Sequence, residues 1–207
     1  TKQAGLRYLY HYGKTFENWG AFDLYEGEFP DGRESLRRCV EKAEAAGIFL
    51  GTHVLSNFIT TNDPYVTPVP DDRLAVVGSS VLTAAIDESA DEIPIASPDF
   101  FNQMENNSLK TVRIGDELIR YGRVSESAPL TLLDCQRGAF GTQVAAHPEG
   151  APIAKLLDHA YKVFLTNADL TVEMSETMAS LYNDTGLRQI SFDGLEGNRS
   201  TGLGTYG

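Results

Sequence analysis

Two carboxylates close a short apolar run late in the sequence, Gln189-Ile190-Ser191-Phe192-Asp193-Gly194-Leu195-Glu196-Gly197. Ile190 to Phe192 reads as a short buried strand, and such a strand normally ends in a neutral turn. Burying Asp193 or Glu196 without a partner would cost several kcal/mol. A pair of carboxyls at the mouth of a core is what acid–base chemistry uses, one donating a proton while the other attacks or activates water. Gly194 and Gly197 let the backbone turn sharply and let a ligand come close. The structural alternative has Asp193 capping the next element and Glu196 solvated.

The elements that would position this pair follow an alternating order. Leu6 to Tyr12 reads as a strand stopped by Gly13, with Tyr10, His11 and Tyr12 at its C-terminal end. Arg33 to Ala46 reads as a helix, with Leu36, Val40 and Ala43 on one face, Asp31 as N-cap and Gly47 after its end. Ile48 to Leu55 is the next strand and leads into His53, Ser56 and Asn57, so the first sixty residues predict a parallel βαβ unit. The loop between, 14–32, carries Trp19, Phe22, Tyr25 and Phe29. Those rings either line a sugar-binding cleft or pack into a small core of their own. Later, Ala160 to Leu165 predicts a strand ending in Thr166 and Asn167, and Asp169 caps a helix running to about Thr185. The strand ends together offer one polar rim: Tyr10, His11 and Tyr12; His53 and Asn57; Asn167; Asp193 and Glu196. Trp19 joins Tyr10 and Tyr12 as a ring for stacking on sugars.

Between these parts the texture changes. Five short β-like runs, beginning at Leu74, Ser80, Thr111, Glu117 and Leu130, are divided by turn residues, and Gly115-Asp116 reads as a hairpin turn. The expected organisation is therefore 1–72 as a first βαβ part, 73–157 as an inserted all-β subdomain, and 158–207 as the continuation of the α/β part. The fold class this predicts is α/β, a (β/α) barrel or partial barrel with a small β insert. Only about half a barrel is present, so the chain is expected to be one piece of a larger polypeptide. No glycine-rich phosphate loop follows the first strand, which disfavours a dinucleotide fold.

The chain has 207 residues and a formal net charge of -12. Nucleic-acid backbones and anionic membrane surfaces are disfavoured as partners by that charge. No metal-ligand cluster and no cofactor are expected. Cys39 and Cys135 are expected as buried free thiols.

Two phrases carry resemblances. Arg113-Ile114-Gly115-Asp116-Glu117-Leu118-Ile119-Arg120-Tyr121, Cys135-Gln136-Arg137-Gly138-Ala139-Phe140-Gly141-Thr142 and Ala145-Ala146-His147-Pro148-Glu149-Gly150-Ala151-Pro152-Ile153 resemble a β module of phage tail and other surface proteins. That resemblance implies a structural insert in which Arg137 braces a turn and His147 caps. The Phe192-Asp193-Gly194-Leu195-Glu196-Gly197 phrase resembles the carboxylate-bearing strand ends of (β/α)-barrel glycoside hydrolases of the secreted carbohydrate-degrading kind. It implies a glycosidase acting on a poly- or oligosaccharide, secreted, periplasmic or at the cell surface, with Asp193 and Glu196 catalytic. Tyr10, His11, Tyr12, Trp19, His53, Asn57 and Asn167 would bind the sugar. The rival readings are a polysaccharide lyase using Tyr10 with His53, and a non-catalytic carbohydrate-binding or structural surface protein.

Overall fold

Periodicity builds both helices. The first, α1 (Arg33–Ala45), buries Leu36 and Val40, four residues apart. The second, α2 (Ala168–Thr185), buries Leu170, Met174, Met178 and Leu181, again near one face. The strands are β1 (Tyr8–His11), β2 (Phe49–Leu55), β3 (Phe58–Ile59), β4 (Val76–Val81), β5 (Ile93–Pro94), β6 (Thr111–Ile114) and β7 (Glu117–Arg120). They continue with β8 (Arg123–Val124), β9 (Thr131–Leu133), β10 (Pro152–Leu156), β11 (Asp158–His159), β12 (Val163–Leu165) and β13 (Gln189–Asp193). This computed structural model describes residues 2–11 and 13–194. Glu196 and Tyr12 lie outside the described residues.

The chain forms two units, one made of residues 1–58 with 168–207 and the other of Ile59–Asn167. In the first unit β1, β2 and β13 form one sheet in the order β1-β2-β13, with both pairs parallel. The strand–helix–strand reading of the first sixty residues leads to this parallel pair. The helix ends follow local chemistry. Gly47, at φ 75°, donates to the Glu44 carbonyl, and Gly186, at φ 79°, donates to the Tyr182 carbonyl. Asp31 does not cap α1. Gly32 occupies the N-cap position, while the Asp31 carboxylate pairs with Arg38. Arg33 and Arg37 reach the C-terminal turn of α2, where Arg37 Nε donates to the Asp184 carbonyl at 2.9 Å. Cations there complement the helix dipole.

The second unit is all-β apart from one short 3-10 turn. Its largest sheet runs β4-β10-β6-β7, and β5-β9-β8 form another. β6 and β7 join through the Gly115-Asp116 turn, with Ile114 opposite Glu117 and Gly115 at φ 57°. Leu82, Ile93, Phe101, Val112, Ile119 and Leu132 form its core, each almost wholly enclosed. Fully burying such side chains stabilises by about 1.5–3 kcal/mol each.

The barrel does not form. The described residues make four small separate sheets and two helices, with no closed barrel. The expectation of a (β/α) barrel or partial barrel is therefore corrected. The misread element is Ala160 to Leu165. It precedes a helix, as a barrel strand would, but its ordered part, β12, pairs antiparallel with β11 through the tight turn at Lys162 (φ 60°). An apolar run marks a strand without fixing its partner or its burial: Ile190 to Phe192, expected to be buried, is half-buried with Phe192 exposed. The β-like runs from Leu74 and Ser80 merge into one strand, β4, across Gly78 and Ser79.

Candidate functional site

The site is built on the parallel sheet of the first unit. Alternation along a strand puts every second side chain on one face. Thr52 and Val54 of β2 are buried, and Thr52 meets Tyr182 of α2. Met174, Met178 and Tyr182 of α2 share a cavity of about 350 Å³ with Val54, Ile190 and Phe192. The helices thus cover the face that holds residues 52 and 54. The opposite face presents Tyr10, His53 and Ser191. Tyr10 is 45 % exposed, and its ring stacks on His53 with centroids 5.7 Å apart and planes at 29°. His53 Nδ1 lies 3.1 Å from Ser191 Oγ, and Ser191 is paired with His53 in the ladder. Below them Tyr8, 56 % exposed, packs against Phe49 with centroids 5.3 Å apart. Asp193 ends β13, exposed, with Oδ1 accepting the Gly194 N–H at 2.8 Å and its carbonyl accepting the Ser56 N–H at 3.1 Å.

Two features of the backbone fix that row. Tyr182 Oη donates to the Gln189 carbonyl at 2.7 Å, accepts the Thr52 N–H at 3.2 Å and sits 2.9 Å from Thr52 Oγ1. A tyrosine hydroxyl therefore bridges the two strands whose register brings His53 to Ser191. Burial pushes the Tyr182 phenol above its ordinary range, so it stays a donor. Gly51, between Tyr10 and Gln189, has no room for a side chain: a Cβ there would stand 1.6 Å from the Gln189 carbonyl oxygen. Beside it Gln189 Oε1 is enclosed, with no hydrogen-bond partner among the described residues.

The structure sorts the sequence-derived residues. Tyr10 and His53 stand together, and Asp193 ends the strand that carries Ser191. His11 belongs to the other side of β1, where its Nδ1 is 3.0 Å from Thr15 Oγ1 and its ring is 6.2 Å from Phe29. Asn57 is completely buried and cannot meet a ligand from solvent. Trp19 is half-buried in a loop that packs on itself: Phe16, Phe22 and Phe29 are buried, and Phe16 meets Phe22 edge-on at 5.4 Å. Asn167 belongs to the second unit, its N–H donating to the Arg73 carbonyl at 2.8 Å. Ser191 and Tyr8, which the sequence reading does not single out, share the face of Tyr10 and His53. Their parity with Asp193 and Tyr10 along the strands is the signal that would have found them.

The second unit holds the strongest buried polar cluster, and it is saturated. The Glu117 side chain is fully enclosed. Its Oε1 accepts Arg137 Nε at 2.8 Å and the Gly138 N–H at 2.9 Å. Its Oε2 accepts a terminal Arg137 nitrogen at 2.8 Å and the Ala145 N–H at 3.2 Å, with His147 Nε2 at 2.8 Å. Burial alone would raise the Glu117 carboxyl, but Arg137, His147 and the two backbone donors outweigh it and leave it below the usual range. Arg137 also donates to the carbonyl of Asp87 at 2.6 Å. Arg137 and His147 therefore staple loops together. A second buried pair, Lys155 and Asp158, went unseen in the sequence. Burial pushes the Lys155 ammonium down to about 8, against the pull of Asp158 at 3.7 Å. Asp158 accepts the N–H groups of Ser108 and Leu109 at 2.6 and 3.2 Å. Both thiols are free, but Cys39 is exposed rather than buried, while burial pushes Cys135 up to about 12. Among the described residues no group of His, Cys, Asp and Glu could hold a metal ion.

No known protein family, curated protein or solved structure matches this chain. The resemblance to barrel glycoside hydrolases carrying a phage-tail-like module is thus corrected on two grounds: no family matches, and the strands form no barrel. With the barrel goes the shared rim that made a hydrolase of Asp193 and Glu196, and nothing supports a glycosidase.

Proposed function

We propose that the open face of the β1-β2-β13 sheet is a non-catalytic carbohydrate-binding surface. The observation that carries this reading is the exposed Tyr10 ring, stacked on an imidazole that is itself tied to the Ser191 hydroxyl. A flat ring beside fixed hydrogen-bonding groups suits a sugar, which offers an apolar C–H face and a polar edge. Because the partners of the ring are already ordered, little side-chain entropy is lost on binding.

The lyase reading uses the same neighbours, with Tyr10 as base beside His53. A uronate substrate would meet Asp193 on the same sheet and a chain of net charge -12, which opposes it. Binding without turnover is the reading we keep. Titration calorimetry of the full chain against a panel of neutral and charged oligosaccharides tests it. Tyr10→Ala should weaken binding by about 1–2 kcal/mol, roughly five- to thirtyfold, through lost apolar contact. An unsaturated, ultraviolet-absorbing product released from a uronate polymer, and lost in Tyr10→Phe, would establish the lyase instead. Saccharide affinity indifferent to Tyr10→Ala would overturn the binding face.

A further inference from the structure

Resting on that carbohydrate reading, we infer that the face selects a cationic amino sugar, with its ammonium placed against Asp193. The two edges of the sheet differ in chemistry. β1 supplies the rings of Tyr8 and Tyr10, and β13 supplies oxygen, with Ser191 and Asp193 two residues apart on the same side of the strand. Two residues of strand span about 6.6 Å, within reach of one substituted sugar ring. A ring held against Tyr10 therefore presents its substituents to a hydroxyl and then to a carboxylate.

Asp193 is suited to a cation. It is exposed, and its Oδ1 accepts only the N–H of Gly194, leaving Oδ2 without a partner among the described residues. A carboxylate accepts as many as four hydrogen bonds, so capacity remains for an ammonium. The guanidinium of Arg188 lies 5.1 Å over the Phe49 ring at the opposite end of β13. Five residues of strand put it about 16 Å away along the chain, beyond the Debye length of about 8 Å at physiological salt. Arg188 therefore does not neutralise Asp193. Tyrosine faces also attract cations, so the aromatic edge does not oppose the charge.

The test uses the full chain and two oligomers of matched length, one of glucosamine and one of N-acetylglucosamine, which differ in the charge of the nitrogen. The glucosamine oligomer should bind about three- to fivefold tighter at low salt, the range of an exposed ion pair, and the preference should shrink as salt rises. Asp193→Asn keeps the acceptor used by Gly194 and should bring the affinity ratio close to one, with thermal unfolding measured alongside to show an intact fold. Equal affinities in the unaltered protein, both lowered by Tyr10→Ala, would overturn the selection for amino sugars and leave the carbohydrate face standing. A preference that survives Asp193→Asn would also overturn it. Failure of every saccharide to bind would overturn both readings.

Discussion

The two units treat their polar side chains in opposite ways. In the second unit, Glu117 is enclosed and accepts from two side chains and two backbone N–H groups, while Arg137 reaches on to a loop carbonyl. In the first unit, Tyr10, His53, Ser191 and Asp193 share the open face of a sheet whose other face the helices cover, and the Asp193 carboxylate, exposed, accepts only the Gly194 N–H among the described residues. A buried charge must be satisfied at once by its own chain. A saturated cluster is therefore a sign of architecture, however reactive its residue types. A polar row that stays ordered at the surface is a sign of recognition. By this measure the enclosed groups Glu117 and Lys155 belong to the scaffold, and the surface row belongs to the proposed site.

Three substitutions break this contrast, in decreasing size. Glu117→Ala leaves a buried guanidinium, an imidazole and two N–H groups without their acceptor. It should destabilise the second unit by about 3–5 kcal/mol, read as lost hydrogen-exchange protection in β6 and β7. Retained exchange protection would show that the cluster is not a staple. Gly51→Ala drives a methyl group into the Gln189 carbonyl and should cost about 3 kcal/mol in the first unit, with loss of saccharide binding. Unchanged thermal unfolding of that variant would refute the close approach. Tyr182→Phe removes the hydroxyl bridging Thr52 and Gln189 and should cost about 1–2 kcal/mol in denaturant titrations, chiefly for the Thr52 N–H left unpaired. It should also loosen the His53–Ser191 register, visible as faster amide exchange at Ser191.

The sequence made local structure readable and long-range pairing unreadable. The amphipathic spacing of Leu36 and Val40, the glycine after the first helix and the Gly115-Asp116 hairpin were all legible, because each depends on neighbours a few residues away. The partner of Ala160 to Leu165 was not, because an apolar run has the same appearance in a parallel barrel and an antiparallel hairpin. Of the proposed face, Tyr10 and His53 are legible from their place near strand ends. The separation of His11 from Tyr10 follows because adjacent residues on a strand face opposite ways. The complete burial of Asn57 was not legible, because a polar type does not reveal burial. Lys155 was invisible, since a lysine in a strand usually faces water, and its partner Asp158 lies three residues on, past the end of the strand.

Recognition is assigned to the open sheet face of the first unit, and amide and side-chain chemical-shift mapping with a bound oligosaccharide checks that assignment. Shifts should concentrate at Tyr10, His53, Ser191 and Asp193, with Glu117, Arg137 and His147 unmoved. Shifts gathered around Glu117 and His147 instead, with the sheet face silent, would contradict it.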